Sequence, residues 1–320
     1  MGNDSRALSF GISRRGFVAA SAALATALVT GASRALAADG KSGAADAKNA
    51  SSSRADSSKS SDSASSDGTS SRPDLSQYAS YELQGDFVLG FDQEFPPYGY
   101  IGDDGQFTGF DIELATAVCN KYGWNLKLSP IDWDAKDALL NSGQITCIWN
   151  GFTIEGREDD YTFTDPYMEN RQVIVVRGDS GITDFAGLAG KIVLAQADSA
   201  AYNLLVDGGE QQDLGKTFGE LQTIGEYNTA FMELESGMVD ALAVDLPVAE
   251  FNIGGDTETY KILDEPLNSE HFGVGFKKGS QELAGKVELA LYDLNDDGTV
   301  KSLCDKYSDQ GVSYDLWMLK

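Results

Sequence analysis

The sequence predicts an α/β protein of two lobes, each a mostly parallel sheet flanked by helices, with a ligand cleft between them. Three observations carry that expectation. From Phe87 the chain alternates short apolar runs with amphipathic stretches, the pattern of βαβ units on a parallel sheet. A second series of the same kind begins at Lys191. The stretch from His271 to Tyr307 then supplies one strand and two helices without a sheet of its own, so it must pack on an existing lobe.

In the first series the apolar runs Phe87–Leu89, Leu126–Leu128 and Ile145–Trp149 alternate with helices expected from Asp111 and Asp134. The helix from Asp111 is the clearest. Phe110, Leu114, Ala117, Val118 and Tyr122 lie near one face, Asp111 stands as N-cap and Gly123 ends it. The second series runs from the strand Lys191–Leu194 to a helix from about Ser199. A strand near Leu221–Ile224, a helix capped by Asn228 and a strand at Val239–Val244 follow. In both halves a helix ends at Ser-Gly (Ser142-Gly143, Ser236-Gly237), a strand follows, and polar residues arrive eight or nine positions after the serine: Asn150-Gly151 and Asp245. Ligands gather at the C-terminal ends of strands in open parallel sheets, so the two lobes are expected to present matching halves of one site. The division implied is 81–176 plus 270–320 for the first lobe and 177–269 for the second. Two connections between lobes make a hinge rather than a free linker.

Composition removes several function classes. Fifty acidic residues against 24 basic ones give a formal charge of −26, which repels nucleic acid and anionic membrane surfaces. Residues 1–80 contain nine basic and seven acidic side chains, so the remainder carries −28 and the acidity belongs to the folded part. A single histidine, His271, excludes multi-histidine metal sites and leaves almost no material for a Ser-His-Asp hydrolase. Cys119, Cys147 and Cys304 match no zinc or redox spacing, and Cys119 and Cys147 are either buried thiols or one disulfide. Asp293 to Gly298 fits the first six positions of a calcium loop, but position twelve is Cys304 instead of the required glutamate, so a helix-ending turn is expected.

The N-terminus reads as an address. Arg14-Arg15 directly precede an apolar run from Phe17 to about Thr30, and Ala35-Leu36-Ala37 offers a cleavage site, so residues 1–37 are expected to be an export signal of twin-arginine type. A general secretory signal that happens to carry two arginines is the alternative. The apolar run is shorter than the ~20 residues of a bilayer span. Residues 38–80 are expected to be a serine-rich flexible linker, because 38–72 contain no Ile, Leu, Val or aromatic residue with which to form a core.

Five motifs occur in order: Phe95-Pro96-Pro97-Tyr98; Gly105-x-x-x-Gly109-Phe110-Asp111-Ile112-Glu113-Leu114; Asn150-Gly151-Phe152-Thr153-Ile154-x-Gly156-Arg157; Phe163-Thr164-Asp165-Pro166-Tyr167; and Val244-Asp245-Leu246-Pro247. This set resembles the extracellular solute-binding proteins of polar amino-acid ABC importers, the family of the glutamine-, histidine- and cystine-binding proteins, over about 81–310. The resemblance implies a periplasmic-binding-protein-like clamp, exported to the periplasm or cell envelope. Such a clamp binds a free polar amino acid or cystine and delivers it to an importer permease, without a cofactor or metal and as a monomer. No GxxxxGK loop is present, so the ATPase of that importer is expected to be a separate subunit.

A free amino acid presents a carboxylate and an ammonium together, so its receptor needs a bidentate cation, hydrogen-bond donors and a separate anion. Arg157, with Thr153 beside it, is the expected carboxylate partner, and the resemblance assigns it that role; a surface pair with Glu155 or Glu158 is the plainer reading. Gln196-Ala197-Asp198-Ser199-Ala200 leads from a strand into a helix, and the resemblance implies that Ser199 and Ala200 approach the carboxylate through backbone N–H. Asp245 is implied to hold the ammonium, with a helix N-cap as its plainer reading. Asp92, Phe95, Trp133, Trp149 and Asn150 occupy or adjoin the positions implied for side-chain recognition, while Trp149 suits a core equally well. The competing function is an enzyme on the same fold, of the prephenate- or arogenate-dehydratase kind, with Glu94 or Asp92 as general acid.

Overall fold

The computed structural model describes residues 72–320. The expected export signal and the serine tract up to residue 71 lie outside the described residues. In chain order the first sheet region comprises β1 (Phe87–Phe91), β2 (Glu94–Phe95), β3 (Gly99–Ile101), β4 (Phe107–Thr108), α1 (Phe110–Tyr122), β5 (Leu126–Pro130), α2 (Lys136–Ser142), β6 (Cys147–Thr153), β7 (Tyr161–Phe163) and β8 (Met168–Asn170). There follow β9 (Gln172–Arg177), β10 (Ile192–Gln196), α3 (Ala200–Leu205), α4 (Gln212–Gly215), β11 (Glu220–Ile224), α5 (Tyr227–Ser236), β12 (Ala241–Asp245), α6 (Leu246–Ile253) and β13 (Tyr260–Ile262). The chain closes with β14 (Glu270–Lys277), α7 (Gln281–Asp296) and α8 (Thr299–Lys306).

Two large sheets organise these elements, and β2-β3-β4 form a third, small one. Of the large pair, one runs β5-β1-β6-β14-β7, with β8 also on β14; the other runs β11-β10-β12-β9-β13. Each has a parallel centre, β5-β1-β6 and β11-β10-β12, extended by antiparallel strands. The helices cover the faces because these strands are apolar on both sides. All seven residues of β6 and all five of β12 are buried. Fully burying a side chain such as Phe152 contributes about 1.5–3 kcal/mol, which is why this strand centres its sheet.

The point at which the chain leaves the first sheet differs from the sequence expectation. β9 pairs with β12 and β13, so the crossing falls between Asn170 and Gln172 and residues 172–176 stand in the second sheet. A run such as Val173-Ile-Val-Val176 is apolar on both faces in either sheet, and its pattern does not reveal its partner. The return crossing lies between β13 and β14.

Residues 72–80, expected as part of the linker, pack on α7. Leu75 is buried and Lys286 Nζ donates to Ala79 O. Arg72 pairs with Asp293 at 2.7 Å and with Asp296 at 3.1 Å. The ring of Tyr78 lies where a Cβ on Gly285 would stand, so only glycine admits it. These contacts also occupy Asp293 of the calcium-like run, which pairs with Lys121 at 3.0 Å as well, while Asp297 Oδ1 accepts from Thr299 N to start α8.

Two expected caps are replaced. Gly109 is the N-cap of α1, and the Asp111 carboxylate turns inward instead. α5 begins at Tyr227 after Glu226, and Asn228 N donates to Glu94 Oε2 across the cleft. Cys119, Cys147 and Cys304 are all free and buried, so the disulfide alternative falls. Burial raises all three thiols, Cys119 and Cys304 to about 12, and leaves them unreactive. No helix among the described residues is long and apolar enough to cross a membrane.

Candidate ligand-binding site

The C-terminal ends of β6, β10 and β12 and the N-termini of α3 and α5 converge on a narrow cavity between the two sheets. Nine of the residues expected from sequence line it: Phe95, Trp133, Gly151, Thr153 and Arg157 from one side, and Gln196, Ser199, Ala200 and Asp245 from the other. Gly151 has φ of +56°, and a Cβ there would press on Phe95 at 2.8 Å and on Phe272 at 3.1 Å, so the strand can turn at this point only with glycine. Asp111 holds that turn from behind. Its Oδ2 accepts from Gly151 N (2.6 Å) and from Tyr167 Oη (2.8 Å), and burial raises its pKa to about 7.

Arg157 is buried, and its partners are backbone carbonyls. Nη1 donates to Thr153 O (3.1 Å) and Nη2 to Asp198 O (3.2 Å), while the guanidinium lies over the Phe152 ring at 5.0 Å. The surface pairing with Glu155 or Glu158 is not made; Glu155 instead bonds His271. Burial lowers the Arg157 pKa, yet guanidinium remains charged at any physiological pH, so a cation with no hydrogen-bonded carboxylate faces the cavity. Asp245 stands at the N-cap position of α6 but makes no cap bond. Its Oδ1 accepts from Asn170 Nδ2 (2.8 Å) and Gln172 Nε2 (2.6 Å).

Three expected roles change. The Thr153 hydroxyl donates to Glu270 Oε1 (2.8 Å) rather than pointing freely into the cavity. Ser199 caps α3, its Oγ accepting from Tyr202 N and its own N–H donating to Gln196 O, so that backbone donor is in use while Ala200 N–H remains a first-turn donor. Asn150 is buried away from the cavity: its Oδ1 lies 2.6 Å from where a Cβ on Gly99 would stand. Trp149 is fully buried and belongs to the core.

Asp92 stands just beyond the cavity. Its Oδ2 accepts from Gln196 Nε2 (2.6 Å) and its Oδ1 from Glu94 N (2.8 Å), and burial pushes its pKa up to about 6. Together with Glu94, Asp132, Asp134, Glu226 and Trp133 it lines an adjoining chamber of about 340 Å³. The Asp92–Gln196 bond joins the lobes across the cleft, as do the ion pair of Lys136 with Asp198 and the contact of the Phe95 and Tyr227 rings at 6.0 Å.

Sequence reading missed Glu270, Asn170, Gln172 and Tyr227. Glu270 is wholly buried at the return crossing, where Thr153, Asn170 and Gln172 all donate to its Oε1 and Asn268 to its Oε2. Asn170 and Gln172 flank the outward crossing, so the polar network sits where the chain passes from one sheet to the other. Only an acid at the start of an apolar strand, Glu270 before His271-Phe272-Gly273-Val274, hinted at this. The result is one cation and two carboxylates around a small cavity with aromatic walls, an arrangement that complements a small zwitterion.

Residues 87–310 match the model of the bacterial extracellular solute-binding proteins, family 3, and the chain belongs to that family. It is 28% identical to the L-cystine-binding protein TcyJ of Escherichia coli K12 over 233 residues, 72% of this chain and 85% of the relative. Its fold superposes with TM-score 0.67 and 32% identity on an ABC uptake transporter substrate-binding protein from Streptococcus pneumoniae with bound histidine, covering 75% of this chain and 96% of the other. An ancestral amino-acid-binding protein described as a precursor of cyclohexadienyl dehydratase matches with TM-score 0.63 and 28% identity, over 70% of this chain and 95% of the other.

Proposed function

We propose that this chain is an exported receptor that binds a polar amino acid or cystine between two closing lobes and delivers it to the permease of an ABC importer whose ATPase is a separate subunit. The observation that carries this reading is the placement of Arg157 and Asp245 on opposite walls of one cavity. Arg157 grips the α-carboxylate bidentately. Asp245 takes the α-ammonium, and Glu270 behind it adds negative potential. Phe95 and Trp133 pack the ligand's carbon atoms. Each lobe supplies half of the site, so the ligand favours the closed arrangement and shifts the population towards it. The 81–176 plus 270–320 division, moved to 170–172 at its first crossing, describes the two moving bodies. Calorimetric titration against the twenty amino acids and cystine tests the reading; no binding by any of them would remove it.

Export through the twin-arginine route belongs to the same proposal. Replacing Arg14 and Arg15 together with lysine retains the positive charge but traps precursor inside the cell, whereas normal secretion of that variant would assign the signal to the general pathway.

The likeness to a dehydratase precursor gives the enzyme reading one specific support, since Asp92 with a pKa of about 6 is chemically able to donate a proton. Receptor function is favoured because Asp92 is tied to Gln196 and to Glu94 N. Release of phenylpyruvate from prephenate by the purified protein would reverse that preference.

A further inference from the structure

The side chain of Tyr227 is the first helical residue of α5, is 1% exposed and lines the central cavity, yet its hydroxyl has no hydrogen-bond partner. A buried hydroxyl left unpaired costs about 1–3 kcal/mol, and such groups in native proteins generally have a reason. The ring is fixed by Phe95 across the cleft, 6.0 Å between centroids, so the hydroxyl is not free to swing out to solvent. Arg157 and Asp245 line the same cavity, and Asp92, whose Oδ2 accepts from Gln196, lies just beyond it. Gly225 and Glu226, immediately before Tyr227, line the acidic chamber, and Trp133 lines both that chamber and the cavity. Tyr227 therefore stands at the passage from the cavity to the chamber.

Granting the receptor reading, Arg157 and Asp245 take the α-groups, and the ligand's side chain leaves the cavity through this passage. We propose that the Tyr227 hydroxyl accepts a hydrogen bond from an N–H donor in that side chain, and that the site thereby selects amino acids bearing an amide, imidazole, guanidinium or second ammonium group over apolar and acidic ones of similar size. The acceptor direction follows from the setting. Five carboxylates, those of Asp92, Glu94, Asp132, Asp134 and Glu226, line the chamber beyond, and they repel a carboxylate-bearing side chain while attracting a donor. The unpaired hydroxyl then penalises a side chain such as that of methionine, which occupies the passage without satisfying it.

The test is calorimetric titration of wild type and Tyr227→Phe with L-glutamine, L-histidine, L-arginine, L-cystine, L-methionine and L-glutamate, together with thermal melting of both ligand-free proteins. Wild type is expected to bind the tightest N–H-bearing probe at least about tenfold better than methionine or glutamate. Tyr227→Phe is expected to weaken that probe by about five- to tenfold, leave methionine within about twofold, and leave the ligand-free melting temperature unchanged or higher, since an unpaired buried hydroxyl has been removed. A wild-type preference for methionine or glutamate overturns the inference. So does an unchanged preference in the variant, an equal loss for every probe, or a lower ligand-free melting temperature, the last two marking a structural role. Wild type that binds none of the six strikes at the receptor reading itself, which separates the two failures.

Discussion

Asp245 and Glu270 accept hydrogen bonds from the same two amide nitrogens: Asn170 Nδ2 lies 2.8 Å from Asp245 Oδ1 and 2.8 Å from Glu270 Oε1, and Gln172 Nε2 lies 2.6 and 2.8 Å from the same two oxygens. Two carboxylates on opposite sides of the lobe crossing are thus held against each other by neutral donors, without a hydrogen-bonded cation. Burial, reinforced by the neighbouring Glu270, pushes the Asp245 pKa up from 3.8 to about 8. On the proposed reading a ligand ammonium arriving beside Asp245 would supply the missing charge, and the Asn170 and Gln172 amides would connect that event to the lobe crossing.

Because the folded pKa of Asp245 exceeds its unfolded value, the native state binds the extra proton. Stability from this source is fully present below about pH 4 and is lost as the pH rises through about 8. Asp92, near 6, and Asp111, near 7, act in the same direction. The ligand-free melting temperature should therefore fall from pH 5 to pH 8.5, and less steeply in Asp245→Asn. Parallel curves for the two proteins would show that Asp245 does not titrate there.

Binding should expel that proton. At pH 7 the calorimetric heat of binding is expected to vary with the ionisation enthalpy of the buffer, and this dependence should shrink in Asp245→Asn. Equal heats in phosphate and Tris would argue that Asp245 is already ionised before the ligand arrives.

Arg157→Ala should weaken the best amino acid by about 2–5 kcal/mol, as expected when a desolvated charge loses its partner. Its ligand-free melting temperature should change little, because the guanidinium's hydrogen bonds go to Thr153 O and Asp198 O only. Titration and melting of the one variant provide both readouts, and retained affinity would dissociate Arg157 from the ligand.

Closure is separately testable at Asp198, whose φ of +58° asparagine tolerates. Asp198→Asn maintains the backbone carbonyl that Arg157 uses but removes the ion pair with Lys136, which is half-exposed on the aspartate side. A loss of affinity is expected, because the Lys136 ammonium, 2% exposed, is left without its carboxylate. Small-angle scattering should show a larger ligand-free radius of gyration than in wild type, and compaction in both when a bound amino acid saturates the site. Identical ligand-free radii would show that the pair does not hold the lobes together.

Residues 72–80 should matter to stability. A chain beginning at residue 81 loses the burial of Leu75 and the Tyr78 contact at Gly285, so its melting temperature should lie about 4–8 °C below that of a chain beginning at residue 72, for a loss of about 2 kcal/mol. Coincident melting curves would restore this segment to the linker.

The two-lobe architecture was legible because it is written in local order: apolar runs at strand spacing, the Ser-Gly helix ends at Ser142 and Ser236, and a final strand with two helices that lacks a sheet. Part of the cavity lining was legible for the same reason, since Gly151, Thr153, Arg157 and Asp245 lie at or just past strand ends that the pattern fixes, while Phe95, Trp133, Ser199 and Ala200 were implied by the resemblance. What the pattern could not carry was the choice of partner. β9 reads as buried on both faces in either sheet, Leu75 and Tyr78 sit in a segment whose neighbours are polar, and Asp111 looks like a cap until Gly151 N and Tyr167 Oη are brought to it. Glu270, Asn170, Gln172 and Tyr227 lie far along the chain from the groups they serve, 117 residues between Glu270 and Thr153, and apart from the acid that opens the apolar strand at Glu270 nothing in their local sequence marks them. The sequence determined which segments are strands and helices and which of their ends carry polar groups; the tertiary structure decided which polar groups meet, because the energy of a buried charge or amide depends on partners that only the packing of two sheets brings within 3 Å.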